Sequence, residues 1–228
     1  MKMYLTALVT LVIFSIPSLG AAAAGRPGPY LSVFLGSSIA RDTTVSSFDS
    51  QTSESFSDRV TFNPGIYVGG TGGYNFGFLR LEGELSYRNA EIDNVTDTLN
   101  GNRFRNVEGN LGAFATMFNV FIDIPNPSRV TPYLGGGVGF SSLYLSDTTG
   151  YDARPTVARR VPLYDASNDT VFAYQVGGGI DIAINSRFSL DIGYRYFITD
   201  KATLDTDFIS SNLKFKSHNA KIGFNFKF

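Results

Sequence analysis

Cysteine and tryptophan are absent from the 228 residues, and histidine occurs once. Without a thiol there can be no disulfide, thiolate metal site, cysteine nucleophile or lipid-modified N-terminal cysteine. A charge excess of either sign is also missing: 19 Lys and Arg stand against 20 Asp and Glu, and the pI is near 5.8. That leaves no basic stripe for a phosphate backbone, so no nucleic-acid partner is expected. No cofactor or metal motif is found. The Gly-rich strings 69–73 and 135–139 lack the helix start and Lys-Ser/Thr of a phosphate loop. Past the N-terminus no apolar run approaches the roughly 20 residues of a helical membrane span. A second route into a membrane would therefore have to be a closed barrel of strands. Mean hydropathy of zero does not separate such a barrel from a soluble domain. What the chain has in quantity is 24 Gly, 12 Tyr and 20 Phe.

Met1 and Lys2 give a short positive start, residues 4–16 are apolar, and Pro17 and Gly20 precede Ala22-Ala23-Ala24. This is the layout of a secretory leader cleaved after a small-residue site, here Ala24. The expected organisation is a leader over 1–24 and one domain over 25–228. Losing Lys2 leaves 18 basic against 20 acidic residues. Export without cysteine fits a bacterial envelope.

The remainder reads as strands. Leu79, Leu81, Gly83, Leu85 and Tyr87 alternate with Arg80, Glu82, Glu84, Ser86 and Arg88. Phe188, Leu190, Ile192, Tyr194 and Tyr196 alternate with Ser189, Asp191, Gly193 and Arg195. Ala220, Ile222, Phe224, Phe226 and Phe228 alternate with Lys221, Gly223, Asn225 and Lys227. Such period-two runs define strands rather than helices. Eight are expected, near 30–40, 64–76, 79–88, 106–122, 132–145, 170–183, 187–197 and 213–228. In the fourth, either face of 111–122 could be the apolar one, and a bulge there could switch the register. Short connectors at 75–78, 123–131 and 185–186 alternate with long polar ones at 41–63, 89–105, 146–169 and 198–212. Short turns at one end and long loops at the other define an all-β, eight-stranded antiparallel up-and-down transmembrane β-barrel with periplasmic turns and extracellular loops.

Alternation alone does not say which face is inside. Glycine travels with the charged face: Gly177, Gly179, Gly193 and Gly223 share it with Asp181, Asp191, Arg195 and Lys221. An eight-stranded interior has room for little more than side chains. Small residues therefore suit the side where the wall curves around long ionic chains. The rows of Phe, Tyr, Leu and Ile would overfill it and are expected to face lipid. Tyr74, Tyr87, Tyr144, Tyr194 and Tyr196 are expected at headgroup level. The lumen then holds Glu82, Glu84, Asp181 and Asp191 against Arg80, Arg88, Arg195 and Lys221. Arg195 and Arg80 are expected to bridge Glu82, Glu84 and Asp191, because unpaired buried ions cost several kcal/mol each. Such a lumen is a plug, not a pore. As an acid/base pair, Glu82 and Glu84 would need a cleft reaching them.

Four strings carry a family resemblance: 132–139 (PYLGGGVG), 173–181 (AYQVGGGID), 190–197 (LDIGYRYF) and 218–228 (HNAKIGFNFKF). The chain resembles the eight-stranded outer-membrane β-barrels of bacterial surface antigens and OmpA-like domains, most densely after Thr131. The resemblance implies a location in the cell outer membrane among its lipid and lipopolysaccharide. It also implies that Ile222, Phe224, Phe226 and Phe228 form the C-terminal signal read by the outer-membrane insertion machinery. It specifies a fold better than a function. The expected function is a non-enzymatic structural or surface-recognition barrel that binds through its extracellular loops, where Arg154, Arg159 and Arg160 lie. A small porin, a lipid-modifying enzyme using His218 at the outer rim, and a soluble lipocalin-like carrier stand as alternatives.

Overall fold

The computed structural model describes residues 27–51, 53–98, 103–152, 160–205 and 209–228. The leader expected over 1–24 lies outside the described residues. Among the described residues, thirteen strand segments form one antiparallel sheet: β1 (Gly28–Ala40), β2 (Thr43–Asp49), β3 (Glu54–Asn63), β4 (Gly65–Asn75), β5 (Leu79–Asp97), β6 (Arg103–Glu108), β7 (Asn110–Asp123), β8 (Val130–Leu145), β9 (Thr148–Asp152), β10 (Arg160–Tyr164), β11 (Ser167–Ala183), β12 (Phe188–Asp205) and β13 (Ile209–Lys227). Eight of them close a ring, β1-β4-β5-β7-β8-β11-β12-β13, and β13 returns to β1 through Tyr30↔Lys227 to Ala40↔Ser217.

The short turns, at 76–78, 124–129 and 184–187, share one end with the start of β1 and the end of β13. Each is built by a local Asn. Asn75 Oδ1 accepts from the Gly77 amide at 2.5 Å, where Gly77 has φ +102°, a conformation that suits glycine. Asn126 Oδ1 accepts from the Ser128 amide, and Asn185 Oδ1 from those of Arg187 and Phe188.

The other end differs from the sequence expectation. Much of what reads as long polar loop is strand. The β2–β3 hairpin occupies 43–63 and pairs with β13 and β5, β5 runs on to Asp97, and β9 and β10 occupy 148–164. With 19 residues, β5 is about 60 Å long at roughly 3.3 Å per residue. A tilted membrane strand needs only about 9–11 residues. The barrel therefore rises well above the bilayer.

The polarity of the wall reverses where it leaves the membrane. On β5 the outward residues are Leu79, Leu81, Leu85 and Tyr87, then Asn89, Glu91 and Asp93. The buried inward ones are Arg80, Glu82, Glu84, Ser86 and Arg88, then Ala90 and Ile92. On β13 buried Asn219 and Ser217 give way to Phe215 and Leu213, while outward Ile222 and Ala220 give way to Lys216 and Lys214. On β12 the change falls between Arg195 and Phe197, and on β7 between Asn119 and Met117. The strand period is unchanged; the solvent outside changes from lipid to water, so the face that must be apolar changes sides. The upper interior is an apolar core that includes Val45, Val60, Ile92, Leu111, Leu143, Leu145, Phe197, Leu204, Leu213 and Phe215. Its long strands look polar in sequence because their outward residues meet water and their inward ones are few.

The same reversal resolves the fourth strand. Pairing of β5 with β7 runs unbroken from Leu79↔Ile122 to Glu91↔Asn110, with no bulge, and the irregularity lies instead at Gly109 between β6 and β7. Both faces of β7 are apolar because Leu111, Ala113, Ala115 and Met117 line the upper core while Phe114, Phe118, Val120 and Ile122 face lipid.

Candidate functional site

The lower interior is ionic, and its centre is Glu84. Tyr67 donates its hydroxyl to Glu84 Oε1 at 2.9 Å. Asn119 and Gln175 donate amide hydrogens to Oε2 at 3.1 and 2.9 Å, and Arg88 Nη2 lies 3.7 Å from Oε1. These partners come from β4, β5, β7 and β11, so one carboxylate ties the two sides of the barrel together. Toward the short turns, Glu82 accepts from the Tyr30 hydroxyl at 2.5 Å and lies 3.6 Å from Arg80. Arg80 Nε donates to Asp123 Oδ1 at 2.8 Å, and Asn75 Nδ2 to Asp123 Oδ2 at 3.0 Å. Lys221 Nζ is 3.0 Å from Asp191, and Lys227 Nζ is 3.4 Å from Asp181. Arg80, Glu82, Glu84, Arg88, Asp181, Asp191, Arg195 and Lys221 are all buried here, and the structure adds Asp123 and Lys227, one of each sign.

Two features depart from the sequence reading. The expected bridge from Arg195 to a carboxylate is not among the described ion pairs; Asp191 is taken by Lys221. Arg195 instead stacks its guanidinium on Phe121 at 4.4 Å and Tyr133 at 5.4 Å, and Arg80 lies over Tyr133 at 4.3 Å. Arg88 is sandwiched between Phe197 at 3.8 Å and Tyr67 at 4.7 Å, and Lys221 lies over Phe34 at 4.8 Å. Desolvated contacts of this kind contribute about 2 kcal/mol each. Aromatics therefore fill the lumen as well as coat the perimeter. The inward glycines make room for them. A Cβ on Gly69 would sit 2.6 Å from the Phe34 ring, one on Gly135 2.7 Å from Phe121, and one on Gly193 2.7 Å from the Tyr133 hydroxyl. Sequence parity carries that signal: Tyr67 shares its strand face with Gly69 and Gly73, and Tyr133 with Gly135, Gly137 and Gly139.

A cavity of about 10 Å³ lies near Asn75, Asp123, Asp181 and Lys227, and another of about 10 Å³ lies in the upper core near Val45, Ile92, Leu111 and Leu213. Each is close to the size of one water. The strings 69–73 and 135–139 are barrel wall within β4 and β8.

Above the membrane, Tyr164 donates its hydroxyl to Asp58 Oδ2 at 2.7 Å. Burial pushes the Asp58 carboxyl above the usual range, the Tyr164 bond opposes this, and Asp97 adds to it. Burial likewise pushes the Tyr164 phenol up, with Asp58 adding. Arg160 pairs with Glu108; Arg154 and Arg159 lie outside the described residues. At the rim His218 faces outward, its Nδ1 2.6 Å from the Tyr194 hydroxyl and its ring 4.8 Å from that of Tyr196. Tyr74, Tyr87, Tyr144, Tyr194 and Tyr196 all point away from the lumen.

Residues 6–228 match the family of the outer membrane protein beta-barrel domain. The chain belongs to that family. Among its relatives are the 31 kDa outer-membrane immunogenic protein of Brucella melitensis, 26% identical over 193 residues (80% of this chain, 75% of the relative), and the outer membrane protein PagN of Salmonella typhimurium, 26% identical over 204 residues (81% and 80%). The chain spans about half the length of an uncharacterized Brucella abortus relative that it matches at 26% identity over 152 residues. The solved structure of OprG from Pseudomonas aeruginosa shares the fold, with a TM-score of 0.57 and 15% identity over 90% of this chain and 99% of that one. This outer-membrane barrel is thus a protein of the cell outer membrane.

Proposed function

We propose that this outer-membrane barrel is a non-conducting, non-catalytic surface protein whose water-exposed upper barrel and its tips recognise a ligand outside the cell. The observation that carries the reading is the filled interior. An ionic layer around Glu84 and an apolar core around Phe197 are stacked along one axis, and on this reading neither leaves a path for hydrated ions. The engagement of His218 with Tyr194 and Tyr196 favours a rim anchor over a base with a nucleophile to activate. The name of the Brucella relative, an outer-membrane immunogenic protein, points the same way. Monomeric protein in a planar bilayer is expected to give no steady conductance in molar salt. Large, stable openings in most insertions would overturn the closed-lumen reading.

The alternate apolar residues Ile222, Phe224, Phe226 and Phe228 serve, on this reading, as the signal for the insertion machinery. Ile222, Phe224 and Phe226 lie on the lipid-facing parity of β13 and Phe228 continues it just past the strand's end, and Phe226 packs against Phe188 at 5.1 Å and Phe228 at 5.0 Å. Deleting Phe228 is expected to lower the outer-membrane yield several-fold while export across the inner membrane continues. An unchanged yield would remove the signal role and leave only a lipid-facing strand.

A further inference from the structure

The outer surface of β1, β12 and β13 is graded from apolar through aromatic to cationic. In the membrane it is recessed. The outward residue of β13 is only Ala220, Ser37 lies beside it on β1, and a groove of about 850 Å³ runs between flanks that include Leu35, Ile192, Ile222 and Phe224. Next on the same strands come Tyr194, His218 and Tyr196, joined by the 2.6 Å hydrogen bond and the tilted ring contact at 4.8 Å. Beyond them stand cations. The Arg41 amide bonds to the Lys216 carbonyl, Lys214 is the register partner of Lys201, and Lys214 Nζ lies 5.9 Å over the Tyr174 ring. Successive outward residues on a strand are about 7 Å apart, so the groove and the cations are separated by the height of a lipid headgroup.

The charge is one-sided. Among the described side chains of this region, five cations (Arg41, Arg59, Lys201, Lys214 and Lys216) stand near three carboxylates. Of these, Asp42 is paired with Arg59 at 3.2 Å, Asp169 accepts from the Thr203 amide at 2.8 Å, and Asp200 is exposed. Elsewhere on the upper barrel the opposite holds: a cleft beside β5, β6 and β7 is lined by Glu91, Asp93, Glu108 and Asp147. An anionic headgroup is attracted to one side and repelled by the other.

We propose that the β1–β12–β13 face binds one molecule of lipopolysaccharide, the phosphorylated acyl-glycolipid of the outer leaflet. Its lipid A phosphates rest on Lys201, Lys214, Lys216 and Arg41. The sugar edge lies on Tyr194, His218 and Tyr196, and one acyl chain fills the groove over Ala220. Ammonium and guanidinium groups recognise phosphate by charge and hydrogen bonding, and the tyrosines supply the amphipathic edge that suits this depth. The proposal rests on the outer-membrane location and is independent of whether the lumen is closed.

The test uses the full mature chain in detergent, with bound lipid counted by native mass spectrometry during titration with diphosphoryl lipid A, the same lipid stripped of phosphate, and phosphatidylglycerol. Wild type is expected to bind one diphosphoryl lipid A and to prefer it to both others. The triple variant Lys201→Gln, Lys214→Gln, Lys216→Gln is expected to bind it on the order of a hundredfold more weakly. Ala220→Leu, which fills the groove, is expected to weaken binding too, and Glu91→Gln with Asp93→Asn on the acidic side to leave it unchanged or tighter. Heat-modifiable gel migration checks that each variant is folded. Equal binding of the phosphate-free lipid by wild type overturns the proposal without any variant. Equal binding of phosphatidylglycerol, or an unchanged affinity in the folded triple variant, overturns it as well.

Discussion

Replacing Glu84 with alanine is expected to destabilise the barrel by about 3–5 kcal/mol, the cost of leaving a buried ionic group without its partner. The Tyr67 hydroxyl and the Asn119 and Gln175 amides lose the acceptor they share, and Arg88, fully buried, loses the carboxylate 3.7 Å away. Water cannot easily substitute, because stacked rings occupy the space around the site. The measurement is the urea midpoint of the gel shift between folded and unfolded forms in detergent. Glu84→Gln keeps the shape and one acceptor oxygen and is expected to recover part of the loss, which separates hydrogen bonding from charge. An alanine variant unfolding at the wild-type midpoint would show that Glu84 is not the tie between the barrel's two sides.

Phe197→Ala is expected to cost a similar amount, about 3–5 kcal/mol, as the price of deleting a fully buried ring. Phe197 is the floor of the upper core: one side meets Phe215 at 6.3 Å, and its face carries the Arg88 guanidinium at 3.8 Å. The variant loses both apolar packing and the surface on which a buried cation rests. Phe197→Leu restores much of the volume but no ring, so it is expected to recover only the packing share. If alanine left the urea midpoint unmoved, the apolar layer above the membrane would contribute nothing to stability.

The sequence carries the ring of eight strands, the short turns and the lower wall, because period-two alternation beside lipid is unbroken from Leu79 to Arg88 and from Phe188 to Tyr196. Parity with glycine also puts eight charged residues on the inward face, and all eight are buried. The upper barrel is less legible. At Asn89 and Lys216 the outward face turns polar, so a reader looking for apolar rows ends the strand there, although Ile92 and Leu213 continue the inward row. The pairing of the charges is also hidden. Parity places Arg195, Asp191 and Lys221 inside, but only the register of β12 against β13 brings Lys221 to Asp191 and leaves Arg195 to Phe121 and Tyr133. Asp123 escapes attention because it ends a strand whose two faces are both apolar.

The central claim is that one wall changes sides with its solvent: greasy outside and ionic inside within the bilayer, polar outside and greasy inside above it. The natural absence of cysteine allows single-cysteine spin labels along β5 with no background. Labels at positions 81, 85 and 87 are predicted to collide with dissolved oxygen, and those at 91 and 93 with a water-soluble nickel chelate. A label at 92, between them, is predicted to meet neither. Oxygen-dominated collisions at 91 and 93, or free chelate access at 92, would contradict the account.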